Sequence, residues 1–248
     1  MAAPSSHAPS PQHDMLQAHK VVLLAVATLA ELRESDTESH ILRVQAYVQV
    51  LARQLQRNPA LAPTLTDDFI EMLVACVPMY DLGNVGVPDR ILLKPGRLTP
   101  EETAIMRTHT TLGFDALVRA EKTLGQGAAL LDMAKQVALS HQEKWNGSGY
   151  PQGLAGTAIP LSARIMALAD VYDALITSKV YRQGVSHEQA VQVIFTERES
   201  HFDPDVVDAF MEVHPQFADI AQRLPDSEAD MQKKIDYMAN AIAEPTAL

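Results

Sequence analysis

The chain has 248 residues, 47% of them apolar, enough for one large domain or two small ones around a sizeable core. Its 31 acidic residues against 20 Lys and Arg leave a formal charge of −11. That argues against general nucleic-acid binding, which needs a basic footprint, but leaves room for a local basic pocket around a phosphorylated ligand. The lone cysteine, Cys76, excludes an internal disulfide and fits a reducing, cytoplasmic setting.

Taken in chain order, MAAPSSHAPSPQHD (1–14) is rich in Pro, Ser and Ala and reads as a disordered tail, with His7 and His13 solvated. VVLLAVATLA (21–30) is too short to cross a bilayer, which takes about 20 apolar residues. No secretion signal is evident, and the run reads as the buried face of a helix over 15–34. A second helix over 37–57 carries Ile41, Val44, Val48, Leu51 and Leu55 at helical spacing and stops at Asn58-Pro59. Thr66 is a good N-cap for a helix running to about Val77, with Asp67 and Asp68 in its first turn and Cys76 in its apolar run. Residues 78–98 are broken by Pro and Gly and read largely as loop. Thr99-Pro100-Glu101-Glu102 caps a helix over 100–122. Further helices are predicted over 126–143, 160–177, 187–197, 204–213 and 226–242. No alternating pattern of the strand type persists. The expectation is one all-α domain over 15–248, a helical bundle of roughly seven to nine helices.

Several polar residues stand out. Asp36 and His40 are four apart and share a helix face, although a capping acid and a surface histidine would look the same. His109 follows a clear cap, and His141 ends a helix just before a glycine-rich turn. Asp170 lies in ARIMALADVYDAL, where an acid is costly to bury unless paired or metal-bound, and Asp173 shares its face.

The order of these pieces resembles the HD-GYP family, the branch of HD-domain metal-dependent phosphohydrolases that cleaves cyclic di-GMP. The resemblance spans about residues 22–215. It rests on SDTESH, YDLGNVGVPD, ILLKPGRLTPEE, THTTLG, SHQEKWNGSGYPQGL, IPLSARIMALADVYDALITSKVYR and SHFDPDVVDAF. It implies the family's helical fold and a site of two or three metals. The implied ligands are the acid at 36, His40, a His-Asp pair at 80 and 81, His109, a His-His pair at 141 and 142, and Asp170.

This chain departs from that pattern at several points. Tyr80 and Gln142 replace histidines, Asn84 replaces a lysine expected near the scissile phosphate, Asn146 replaces an aspartate, and Asp36 replaces a glutamate. A neutral phenol and an amide oxygen are poor metal ligands, and losing a lysine removes charge that would offset the transition state. The remaining candidates are Asp36, His40, Asp81, His109, His141 and Asp170, expected to hold at most one divalent metal such as Fe or Mn, if any. Lys179 and Arg182 stand where the family places cations for cyclic di-GMP phosphates. Trp145 either stacks on a base or packs the helix end. Gly149, Tyr150 and Pro151, with Gly147, form a rigid loop expected to be exposed; in the family this loop is implicated in docking diguanylate cyclase domains.

The leading expectation is therefore a degenerate domain in cyclic di-GMP signalling, with weak or no phosphodiesterase activity. Such a domain acts as a nucleotide receptor or protein-interaction module, without membrane insertion. The rival is an active metal-dependent phosphodiesterase with a reduced metal site.

Overall fold

The computed structural model describes residues 39–125, 127–178 and 183–229, with isolated positions at 25, 26, 28, 30, 232, 235 and 236. The predicted tail, Asp36, Lys179 and Arg182 lie outside the described residues, as do most of the helices predicted over 15–34 and 226–242. Among the described residues the regular structure is helical, and the only β pairing is an isolated bridge between Arg198 and Phe202.

The main helices are α1 (Ser39–Leu55), α2 (Asp67–Cys76), a short α3 (Asp89–Leu92), α4 (Pro100–Met106), α5 (His109–Leu124), α6 (Ala129–Ser140), α7 (Leu161–Ile176), α8 (His187–Thr196) and α9 (Pro204–Arg223). The predicted apolar stripe of α1 is buried, and α1 packs against α2, α7 and α9. An aromatic layer fills the centre. Tyr47 stacks on Phe217 with ring centroids 4.6 Å apart, and Tyr172 meets both rings edge-on. Thr66 caps α2 by accepting from the Phe69 amide, and Thr99 with Glu102 forms a reciprocal cap on α4. Cys76 is buried, and burial pushes its thiol up to about 12.

Three boundaries differ from expectation. Residues 78–98 contain two short 3-10 turns, Val77–Met79 and Leu82–Gly86, besides α3. The helix expected over 100–122 is broken at Arg107 and Thr108. There Thr108, Thr110 and Thr111 each donate a hydroxyl to the carbonyl three residues back, competing with the regular helix ladder. The helix expected over 204–213 continues through Pro215 to Arg223, because Phe217 and Ile220 extend its buried stripe. Among the described residues no helix is long and apolar enough to cross a membrane.

Candidate metal centre

The break between α4 and α5 sets the first part of the site, because it puts His109 at the first position of α5. His141 caps the end of α6, which packs against α5. Asp81 precedes the 3-10 turn Leu82–Gly86, which lies on α5. That approach requires Gly83, since a Cβ there would meet the His109 carbonyl oxygen at 1.8 Å and the Gly113 amide nitrogen at 2.6 Å. Three separate segments thus deliver one carboxylate and two imidazoles to one place.

Asp81 Oδ1 lies 3.3 Å from His141 Nε2 and 3.4 Å from His109 Nε2, and the two Nε2 atoms are 3.4 Å apart. Three donors at about 2.1 Å from a common ion with tetrahedral angles would be ~3.4 Å from one another. His109 Nδ1 donates to the Met106 carbonyl at 2.8 Å, and His141 Nδ1 to the Val137 carbonyl at 3.0 Å. Those bonds assign the ring N–H to Nδ1 and turn each Nε2 lone pair toward the common point, the arrangement that orients metal-ligating histidines. Asp81 Oδ1 is buried and accepts no hydrogen bond, which is costly for a carboxylate oxygen unless a cation faces it. These residues fit one divalent ion, and imidazole with carboxylate suits a first-row metal.

Charge in the cluster follows the same geometry. Burial alone would raise the Asp81 carboxyl, but His141, His109 and His40 outweigh it and hold it well below the ordinary value. Burial lowers His109. It would lower His141 too, but the neighbouring Asp81 carboxylate raises it instead.

The other described candidates do not join this group. Tyr80 Oη donates to Asp170 Oδ1 at 2.9 Å and lies 2.8 Å from His40 Nε2, so one hydroxyl ties together two expected metal ligands. On its far side His40 Nδ1 donates to Asp173 Oδ2 at 2.8 Å. Asp173 is gripped by both Arg43 Nε and Arg43 Nη2, at 2.6 and 2.8 Å, and Arg43 Nη1 reaches Asp226 at 2.6 Å. The result is a closed chain, Arg43–Asp173–His40–Tyr80–Asp170. Burial first, and then the Asp81 charge, raise the Asp170 carboxyl. Arg43 was not singled out from the sequence, yet its place three residues after His40 on α1 was a usable signal. The buried Asn84 side-chain oxygen has no hydrogen-bond partner.

The glycine-rich loop folds back over the triad. The Tyr150 amide donates to the Gln142 carbonyl at 3.2 Å. The buried Glu143 carboxylate accepts from the Gln152 and Leu154 amides at 2.8 and 3.0 Å. Gly149 passes so close to this segment that a Cβ would lie 2.3 Å from the Lys144 nitrogen. The expectation that Tyr150 is exposed is corrected. Its ring is half-buried, meets the His109 ring edge-on at 6.2 Å and lies beneath the guanidinium of Arg107, because the Glu143 anchor turns the loop inward. Pro151, Gln152 and Gly153 form the exposed tip. Trp145 carries Arg164 over its ring at 5.8 Å, and its amide donates to the His201 carbonyl. Asn146 accepts from the Ser148 amide and donates to Ser200, holding the turn.

A family model described as HD domain matches residues 25–206. The probable cyclic di-GMP phosphodiesterase of Vibrio cholerae is 51% identical over 210 residues, 85% of this chain and 48% of that protein. The cyclic di-GMP phosphodiesterase of Thermotoga maritima is 35% identical over 207 residues, 84% of this chain and 52% of that protein. The chain thus spans about half the length of the curated relatives it matches. Two solved structures share the fold. A cyclic GMP-AMP-specific phosphodiesterase of V. cholerae has a TM-score of 0.55 at 20% identity, covering 90% of this chain and 59% of that one. An HDG"Y"P protein from Bdellovibrio bacteriovorus has 0.53 at 17% identity, covering 79% and 63%.

Proposed function

The chain belongs to the HD domain family, and we propose that it binds cyclic di-GMP beside a single divalent cation held by Asp81, His109 and His141, hydrolysing it weakly or not at all. In this reading it serves as a nucleotide receptor or protein-interaction module. The observation that carries the reading is the Tyr80 hydroxyl, which occupies both His40 and Asp170 and so withholds two donors from a second ion.

A bound cation in the triad would polarise a phosphoryl oxygen and acidify a water. The chain's own groups add little to that. Asn84 is neutral where the resemblance expects a lysine, so it cannot offset charge growing on the phosphoryl oxygens. Gln142 offers a weak amide donor. Asp36 is proposed as a further carboxylate near the site, and Lys179 and Arg182 as cations for the nucleotide phosphates. The loop at Gly149, Tyr150 and Pro151 is proposed to contact a diguanylate cyclase domain. Because Tyr150 also packs against His109 and Arg107, substitutions at the exposed Pro151 and Gln152 are the cleaner probes of that contact.

A second reading, an active phosphodiesterase using the reduced site, is favoured by the buried and unpartnered Asp81 oxygen, which leaves one competent metal position. Nucleotide chromatography after incubation with manganese or iron separates the two. The receptor reading expects negligible hydrolysis of cyclic di-GMP by the unaltered protein. It expects measurable turnover only when Tyr80→His, Gln142→His and Asn84→Lys are combined. Robust turnover without them would establish the second reading.

A further inference from the structure

Arg107 follows α4 two residues before His109, and its side chain is exposed. Its guanidinium carbon stands over the Tyr150 ring, 4.9 Å from the centroid. The same ring meets His109 edge-on at 6.2 Å. A fixed positive charge therefore stands one aromatic ring away from the triad. Among the described residues Arg107 has no carboxylate partner, although the chain carries 31 acids for 20 Lys and Arg.

The platform beneath this guanidinium is built. Tyr150 is tied to the Gln142 carbonyl, and the loop around it is pinned by the two amide bonds to the buried Glu143 carboxylate. A guanidinium lying on an aromatic face keeps its N–H donors free at its edge, since stacking uses the flat face and hydrogen bonding the rim. Those donors form a fork that matches two oxygens of a phosphate group, and restricting the side chain beforehand reduces the entropy lost on binding. Neither Asn84 nor Arg43 supplies such a group. Asn84 is neutral, and Arg43 is fully engaged by Asp173, Asp226, Thr177 and the Leu224 carbonyl.

We propose that Arg107, stacked on Tyr150, is a phosphodiester-binding cation at the mouth of the triad. The role belongs to recognition, and it rests on the reading that a cyclic dinucleotide binds at this site. Arg107 takes over part of the charge that the asparagine at position 84 does not supply.

Calorimetric titration of the manganese-loaded protein with cyclic di-GMP tests it, comparing the unaltered chain with Arg107→Gln and Arg107→Lys. Arg107→Gln should bind about tenfold more weakly or worse, the effect of losing a charge-assisted hydrogen bond. Arg107→Lys should fall between, because it keeps the charge and loses the fork. Binding by the unaltered chain should also weaken more steeply with added salt than binding by Arg107→Gln, with manganese content and melting temperature the same in both. Equal affinity of Arg107→Gln and the unaltered chain would overturn this role alone. So would loss of manganese in Arg107→Gln, which would make Arg107 a support for His109. Absence of binding by the unaltered chain would overturn the receptor reading and this role with it.

Discussion

The two halves of the polar site were built from similar residue types and end in opposite states. Around Asp81, His109 and His141, lone pairs face one another across 3.3–3.4 Å, and a carboxylate oxygen is buried without a donor. Around His40, Asp170 and Asp173, the polar contacts close on protein partners, Tyr80 and Arg43. The difference traces to Tyr80. An imidazole lone pair turned to a metal leaves its neighbours free to bind that metal as well. A phenol hydroxyl donates and accepts hydrogen bonds, so it satisfies the neighbours itself. One half presents donors that fit a cation, and the other closes its donors on one another with hydrogen bonds.

The largest expected effect falls on the closed half. Arg43 and Asp173 are 3% and 1% exposed, so removing one partner strands a buried charge. Asp173→Ala should cost about 3–5 kcal/mol in urea denaturation. A loss below about 1 kcal/mol would mean that the chain of bonds contributes little to the fold.

On the open half, elemental analysis of protein purified without chelator should give about one equivalent of a first-row metal. His109→Ala, His141→Ala or Asp81→Asn should weaken its retention by about 100-fold or more, beyond the range of an outer-shell change. Two equivalents in the unaltered protein would erase the distinction between the halves, because the second ion would have to sit where Tyr80 holds His40 and Asp170.

A smaller effect separates them by pH. Burial alone would raise the Asp173 carboxyl, but the bonds from Arg43 and His40 outweigh it and hold it at about 2 in the folded chain. Unfolded, an aspartate titrates near 3.9. A folded value below the unfolded one stabilises the protein fully above pH ~4, and that contribution of roughly 2–3 kcal/mol is lost as pH falls through about 2. Urea midpoints measured across this window should fall steeply for the unaltered chain and more gently for Asp173→Asn. Parallel slopes would remove Asp173 from the account of acid stability.

Most helices were legible because their signals are local. The stripe from Ile41 to Leu55, the caps at Thr66 and Thr99, and the helix over 187–196 depend on residues within a few turns of one another. The break at Arg107 and Thr108 was missed because threonines at 108, 110 and 111 read as ordinary helix positions until their hydroxyls are seen to take carbonyls three residues back. The extension of α9 was missed because Pro215 usually stops a helix, and only the core shows that Phe217 and Ile220 need it to continue.

The sequence by itself determined the helical class, the order of the ligand candidates and the replacements at 80, 84 and 142, since residue identity and short-range spacing are written directly in the chain. Tertiary structure alone decided which candidates meet. Tyr80 finds His40 across 40 residues and Asp170 across 90, and Arg43 finds Asp173 across 130. Such partners are fixed by how α1 and α7 pack and by how closely the turn at Gly83 approaches α5. A hydrogen bond depends on distances of a few tenths of an ångström, and periodicity along the chain carries no information at that scale about helices joined by a hundred residues.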